Sequence, residues 1–165
     1  MAQVFISLGS NVEKELYVQR GLDDLEQSFG PLLLSSLFES EAIGFEGDIF
    51  FNMVVGFITE QSIDQVTDEL RAIEIKNGRS PTAKKFSPRT LDLDLLLFDD
   101  LICQSPAIVP REEICHNAFV LWPLSEVAGE RIHPTEKVSI HSLWQAFDQT
   151  SQQLKPVPLD WHSKL

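Results

Sequence analysis

Positive charge is scarce in this chain. Its 165 residues carry 13 Lys and Arg against 25 Asp and Glu, a formal net charge of -12. A surface that acidic repels phosphate backbones and anionic lipid, so neither nucleic acid nor a membrane is the expected partner. Cysteine is scarcer still. Cys103 and Cys115 stand outside any metal-ligand spacing and are expected to be free thiols of a reducing cytoplasm, with no disulfide. No apolar run approaches the roughly 20 residues that span a bilayer. The start, Met1-Ala2-Gln3, offers no basic leader or cleavage site before an apolar strand-like run begins. What remains is one globular domain over residues 1–165, with 43% hydrophobic residues to build its core.

The scarce cations are not spread evenly. Between Arg71 and Arg89 stand Arg71, Lys76, Arg79, Lys84, Lys85 and Arg89, opposed only by Glu74, a local net +5. A short basic segment in an acidic protein fits a small polyanion better than a long one. Directly after it comes Pro88-Arg89-Thr90-Leu91-Asp92-Leu93-Asp94. Side chains alternate along a strand, so Asp92 and Asp94 project from one face and Leu91, Leu93 and Leu95 from the other. Two carboxylates so close repel each other unless a cation lies between them. Oxygen ligands suit Mg²⁺, and Mg²⁺ beside basic residues suits a substrate phosphate.

Periodicity sets out the remaining elements. Gln3 to Leu8 is an apolar strand, and Gly9-Ser10-Asn11 reads as a turn. Ser10 and Glu13 have capping-box spacing ahead of a helical stripe of Val18, Leu22, Leu25 and Phe29, which Gly30-Pro31 ends. Leu32 to Ser40 and Asn52 to Thr59 read as strands around a loop with Gly44 and Gly47. Ser62 and Gln65 form a second capping box, before the stripe Ile63, Val66, Leu70 and Ile73 and the stop Asn77-Gly78. Arg79 to Pro88 shows no periodicity and reads as a mobile loop. Leu91 to Phe98 then reads as a central strand whose Leu95-Leu96-Leu97-Phe98 run loses alternation, as a strand covered on both faces does. A short hairpin-like piece, a helix from about His116 through Trp122-Pro123, and a helix around Ile140 to Phe147 follow. The tail from about residue 155, with Pro156 and Pro158, is expected to pack loosely. The fold class is α+β: a ferredoxin-like β-α-β-β-α-β core with a C-terminal helical extension.

With these elements in place the chain resembles the 6-hydroxymethyl-7,8-dihydropterin pyrophosphokinase family of folate synthesis. The resemblance rests on Leu8-Gly9-Ser10-Asn11, Asn52, Glu74, Gly78-Arg79, the Pro88–Asp94 stretch, and Phe119-Val120-Leu121-Trp122-Pro123-Leu124. It implies a monomeric, cytoplasmic, Mg²⁺-dependent enzyme that transfers pyrophosphate from ATP to a reduced pterin. Carried over by position, Asp92 and Asp94 hold two Mg²⁺ ions. Arg79 and Arg89 act on the phosphates with them, and Glu74, Lys84, Lys85 and Arg111 join in binding ATP. Phe50 and Phe119 resemble the pair that sandwiches the pterin. Asn52 resembles its amide partner, Ile43 lies on the loop at the ring edge, and Phe86 lies on the closing loop.

The chain also departs from the family pattern. Arg111 stands where a His is usual, Asn117 where an Arg is usual, and Pro81 where an Arg is common. His116 lies five residues beyond the usual His, and Glu41 and Ala42 replace prolines of the pterin loop. The alternatives are a divergent paralogue of the same fold, binding a pterin-like or nucleotide ligand with weak or altered catalysis, and a ferredoxin-like RNA-binding module. The net charge and the lack of an aromatic RNA-binding strand count against the last.

Overall fold

The first strand, β1 (Ala2–Ser10), organises the sheet because partners flank it on both sides. The computed structural model describes residues 1–41, 49–78 and 90–165. In chain order β1 is followed by α1 (Lys14–Phe29), β2 (Leu33–Leu34), β3 (Leu37–Glu41), β4 (Ile49–Thr59) and α2 (Ile63–Lys76). Then come β5 (Asp92–Phe98), a 3₁₀ turn (Glu112–Cys115), α3 (Ala118–Ala128), α4 (Ile140–Ala146) and β6 (Leu154–Val157). The sheet runs β5-β1-β4-β3-β6, with β2 also on β4, and every pairing is antiparallel. The α+β, ferredoxin-like order expected from periodicity is therefore present.

Each face of the sheet buries a separate core. Ile6, Leu8, Met53, Val55, Leu93 and Leu95 pack with Val18, Leu22 and Leu25 of α1 and Val66, Leu70 and Ile73 of α2. On the other face Phe5, Val54, Leu96 and Leu97 pack with Val120, Leu121 and Leu124 of α3 and Ile140 of α4. Both faces are covered, as the apolar run in β5 suggests. The lost alternation has a local cause: the β1–β5 register slips between Phe5 and Ile6, which pair with Leu97 and Leu95. Leu96 is the extra residue of this bulge and joins Leu97 in the α3 core. Trp122 ties α3 down, its ring 4.6 Å from that of Phe38 and 5.4 Å from that of Trp144.

Several expectations need correction. The strand with the acid pair lies at the edge of the sheet, since among the described residues β5 has a strand partner only in β1. The stretch 32–40 divides into β2 and β3, because buried Ser35 exchanges hydrogen bonds with the Val54 backbone through its own amide and hydroxyl. The Ser62–Gln65 capping box forms as expected, with bonds of 3.2 and 2.8 Å. The Ser10–Glu13 box does not. Ser10 is the last residue of β1, fully buried, and its hydroxyl donates to the carbonyl of Thr90; Glu13 caps α1 at φ 46° with no side-chain bond. A short polar side chain beside a helix start has two possible backbone targets, and here the tertiary one wins.

The tail is not loose. β6 pairs with β3, and beyond it Trp161 Nε1 donates to Asp23 Oδ1 at 2.9 Å. Buried Glu26 accepts from Ser163 Oγ at 2.6 Å and from the Lys164 amide at 2.8 Å. A buried carboxylate requires such partners. Trp161→Ala removes ring packing and one hydrogen bond, so it is expected to lower the unfolding free energy by about 2–3 kcal/mol in a urea titration. An unchanged midpoint would show that the tail adds nothing to the fold.

Candidate active site

The register of three strands brings the site together. Gly9 of β1 lies opposite Asp92 of β5 on one side and Asn52 of β4 on the other, and Asn52 is in turn opposite Phe38 of β3. One step along, Ser7 lies between Asp94 and Val54. Asp92 and Asp94 are half-buried and alternate with buried Leu93 and Leu95, so they share the face that α3 covers only in part. Two strand spacings place the Asn52 and Asp92 backbones about 10 Å apart across Gly9. Gly9 keeps that space open: a Cβ there would lie 3.1 Å from Asn52 Oδ1. The Asn52 amide is held from its other side, Nδ2 donating to Ser40 Oγ at 3.0 Å.

Two devices fix the acid strand at the sheet edge. Glu74 of α2 is buried, and its Oε2 accepts the amide of Leu93 at 2.8 Å, between the two aspartates. The expected nucleotide contact is thus placed behind the strand, where its carboxylate engages backbone. Where the strand bulges, the Leu96 carbonyl accepts the amide of Arg111 at 3.0 Å. This pins Arg111 beside the acid pair, with Nη2 at 3.6 Å from Asp94 Oδ2. Glu113 Oε1 accepts from Arg111 Nε at 3.0 Å and Nη2 at 2.7 Å, and Glu113 Oε2 accepts from Asn117 Nδ2 at 3.3 Å. Burial works to lower the Arg111 pKa, but the negative charges of Asp94, Glu113 and Asp92 outweigh it and hold the group above its ordinary value. Arg111 is a permanent cation here.

Phe50 is half-buried on β4, one alternation from Asn52, and Phe119 is half-buried in the first turn of α3 against the second core. The α3 N-terminus is held by Gln152, which donates to the His116 carbonyl at 2.9 Å and accepts from the Ala118 amide at 2.8 Å. His116 itself is exposed. Arg79, Arg89, Lys84, Lys85, Ile43 and Phe86, with Pro81 and Ala42, lie outside the described residues. Ser7, Ser40 and Glu113 are the polar residues of this face that sequence reasoning passes over. Only the β3–β4 register and the bulge at Leu96 place the latter two, and neither has a local signature.

Among the described residues no three His, Cys, Asp or Glu side chains converge as metal ligands. Asp92 and Asp94 offer two carboxylates on one face of β5. Such a pair fits Mg²⁺, which commonly binds through one or two carboxylates together with substrate phosphate.

The sequence profile described as 7,8-dihydro-6-hydroxymethylpterin-pyrophosphokinase (HPPK) matches residues 5–129. The chain belongs to this family. It is 35% identical over 133 residues to the 2-amino-4-hydroxy-6-hydroxymethyldihydropteridine pyrophosphokinase of Pseudomonas aeruginosa, covering 78% of this chain and 82% of that one. It is 30% identical over 158 residues to the folic acid synthesis protein fol1 of Pneumocystis carinii, which covers 93% of this chain but only 21% of that longer protein. The fold matches wild-type HPPK-DHPS of Plasmodium falciparum at a TM-score of 0.68 and 13% identity, over 87% of this chain and 44% of that one.

Family membership makes the support behind the acid strand testable. Glu74→Ala leaves the buried Leu93 amide without its acceptor, and a loss of about 1–3 kcal/mol in unfolding free energy is expected. Faster hydrogen exchange at Leu93 than elsewhere in β5 is the local signature, and unaltered exchange there would disprove the role.

Proposed function

We propose that Asp92 and Asp94 form the metal site of an HPPK reaction carried out on this face of the sheet. As an HPPK the protein is a diphosphotransferase: it moves pyrophosphate from ATP to 6-hydroxymethyl-7,8-dihydropterin, yielding AMP and the pterin diphosphate used in folate synthesis. The observation that carries the site assignment is the pair of half-buried carboxylates side by side on β5, with a fixed guanidinium 3.6 Å from one of them.

The chemistry sets the requirements. The hydroxymethyl oxygen of the pterin attacks the β-phosphorus of ATP, and the bond from that phosphorus to the α,β-bridging oxygen breaks. AMP leaves with the bridging oxygen, and the hydroxyl proton passes to solvent. The attacked centre is wrapped in anionic oxygens, so charge neutralisation and in-line placement matter more than covalent help. Asp92 and Asp94 would hold two Mg²⁺ ions, which would supply that neutralisation. Arg111 adds a cation that cannot be deprotonated, and Arg79, Arg89, Lys84 and Lys85 supply the remaining phosphate contacts. Glu74 acts through the Leu93 amide, with any nucleotide contact secondary.

The pterin is flat, with a hydrogen-bonding edge. Phe50 and Phe119 supply faces for it, joined by Phe86; Asn52, oriented by Ser40, and the backbone at Ile43 address its edge. Gly9 separates Asn52 from Asp92, so the ring can lie at one end of the row and its hydroxymethyl arm reach the other. No described helix is long and apolar enough to cross a membrane. The protein acts as a monomer in the cytoplasm on small molecules, without nucleic acid or membrane partners.

Incubation with ATP, Mg²⁺ and the reduced pterin is expected to release AMP and pterin diphosphate in equal amounts. No AMP above a no-enzyme control at high protein concentration would refute the activity and favour the divergent paralogue. Asp92→Asn and Asp94→Asn are each expected to lower kcat about a thousandfold. A near-normal rate in either would overturn the metal assignment. Gly9→Ala pushes on Asn52 Oδ1, so the KM for pterin should rise about tenfold while the KM for ATP stays put. Equal changes in both would place Asn52 outside the pterin subsite.

A further inference from the structure

We infer that Thr90 is a positioning residue for the metal site: its hydroxyl and carbonyl tie the entry of β5 to two other elements and so fix where Asp92 stands. This rests on the reading of Asp92 and Asp94 as the metal site. Asp92 is the first residue of β5, and its pairing with Gly9 is the last rung of the β1–β5 ladder. The end of an element is where local opening costs least. A ligand residue placed there keeps its position only if the chain just ahead of it is anchored. The requirement is strict, because a misplacement of about 1 Å can cost a catalytic site a hundredfold in rate.

Both polar groups of Thr90 serve that anchorage. Its carbonyl accepts the hydroxyl of Ser10, the fully buried last residue of β1, which extends the strand pairing past its last rung. Its Oγ1 donates to the Asn77 carbonyl at 2.7 Å. Asn77 is the C-cap of α2, where carbonyls have no partner within the helix. It is a firm post. Its amide bonds the Ile73 and Glu74 carbonyls at 3.1 and 3.2 Å, and its Nδ2 donates to the Ile73 carbonyl at 2.8 Å. Nδ2 also donates to Asp24 Oδ2 of α1 at 2.9 Å, and Asp24 Oδ1 takes the Lys76 ammonium at 2.9 Å. One polar row thus runs from α1 through the end of α2 to the entry of β5 and the end of β1. Leu91, between Thr90 and Asp92, is fully buried in the α1–α2 core. The β-branched Thr90 side chain has few rotamers, so its hydroxyl is aimed in advance. Thr90 acts on Asp92 through the backbone.

The test compares Thr90→Val, which keeps the branched shape and removes the donor, with Thr90→Ser, which keeps the hydroxyl. Mn²⁺ affinity without nucleotide is read by electron paramagnetic resonance, and amide exchange along β5 by NMR. Thr90→Val is expected to weaken Mn²⁺ binding about fivefold and to speed exchange at the start of β5 more than in its middle. Thr90→Ser should restore both. The KM for pterin should not move, because Asn52 is held separately by Ser40. Normal Mn²⁺ affinity in Thr90→Val, or an equal loss in Thr90→Ser, overturns the inference. So does an equal loss in Trp161→Ala, which would make general destabilisation the cause. Asp92→Asn separates the two layers. It must weaken Mn²⁺ binding strongly, and unaltered affinity in that variant would defeat the metal-site reading itself.

Discussion

The fixing of β5, the edge strand that carries Asp92 and Asp94 on one face, is the constraint on which the rest of the site depends. Two carboxylates on one face of one strand favour separation, and an edge strand is the part of a sheet most free to yield. Here it cannot. Its inner edge is zipped to β1 from Val4 to Gly9. Its outer edge is held by the buried Glu74 carboxylate at Leu93, and by the Arg111 amide at Leu96. Its apolar face is locked into the α1–α2 core through Leu91, Leu93 and Leu95. The acids are held together by strand pairing, two hydrogen bonds and apolar packing.

That division explains why the site was partly legible in the sequence. The acid pair could be read directly, because alternation along seven residues needs no tertiary information. The helix stripes and the Ser62–Gln65 cap were legible for the same reason. Ser10 was not: its spacing to Glu13 matched a capping box, and only the approach of Thr90 across the fold diverted its hydroxyl. Nor was the edge position of β5, since strand order is set by which strands meet and not by any one strand's pattern. The tail misled for a compositional reason. Prolines at 156 and 158 suggest loose chain, but an edge strand can accept a proline, and Pro156 sits in β6 opposite Phe38.

The two faces of the sheet have different jobs. The α1–α2 side is apolar and tightly fitted: a Cβ on Gly21 would lie 2.9 Å from a Leu91 methyl. The opposite side is split. The α3–α4 layer, braced by ring contacts of Trp122 with Phe38 and Trp144, seals the half around Phe5 and Val54. The half around Ser7, Gly9, Asn52, Asp92 and Asp94 keeps polar side chains on a rigid floor. Polar groups of this kind hold their geometry best when the elements beneath them cannot move.

The departures from the family pattern acquire a physical sense in that setting. The position two residues before Phe119 has lost a cation, Asn117 standing where an Arg is usual. Arg111 supplies a permanent cation where the family usually has a titratable His. Glu113 grips Arg111 through two of its donors, and Asn117 steadies Glu113 by a neutral hydrogen bond. The substitutions at 111 and 117 are then coupled through one carboxylate. An Arg restored at 117 would draw Glu113 toward itself and loosen its grip on Arg111, so neither position can be judged apart from the other.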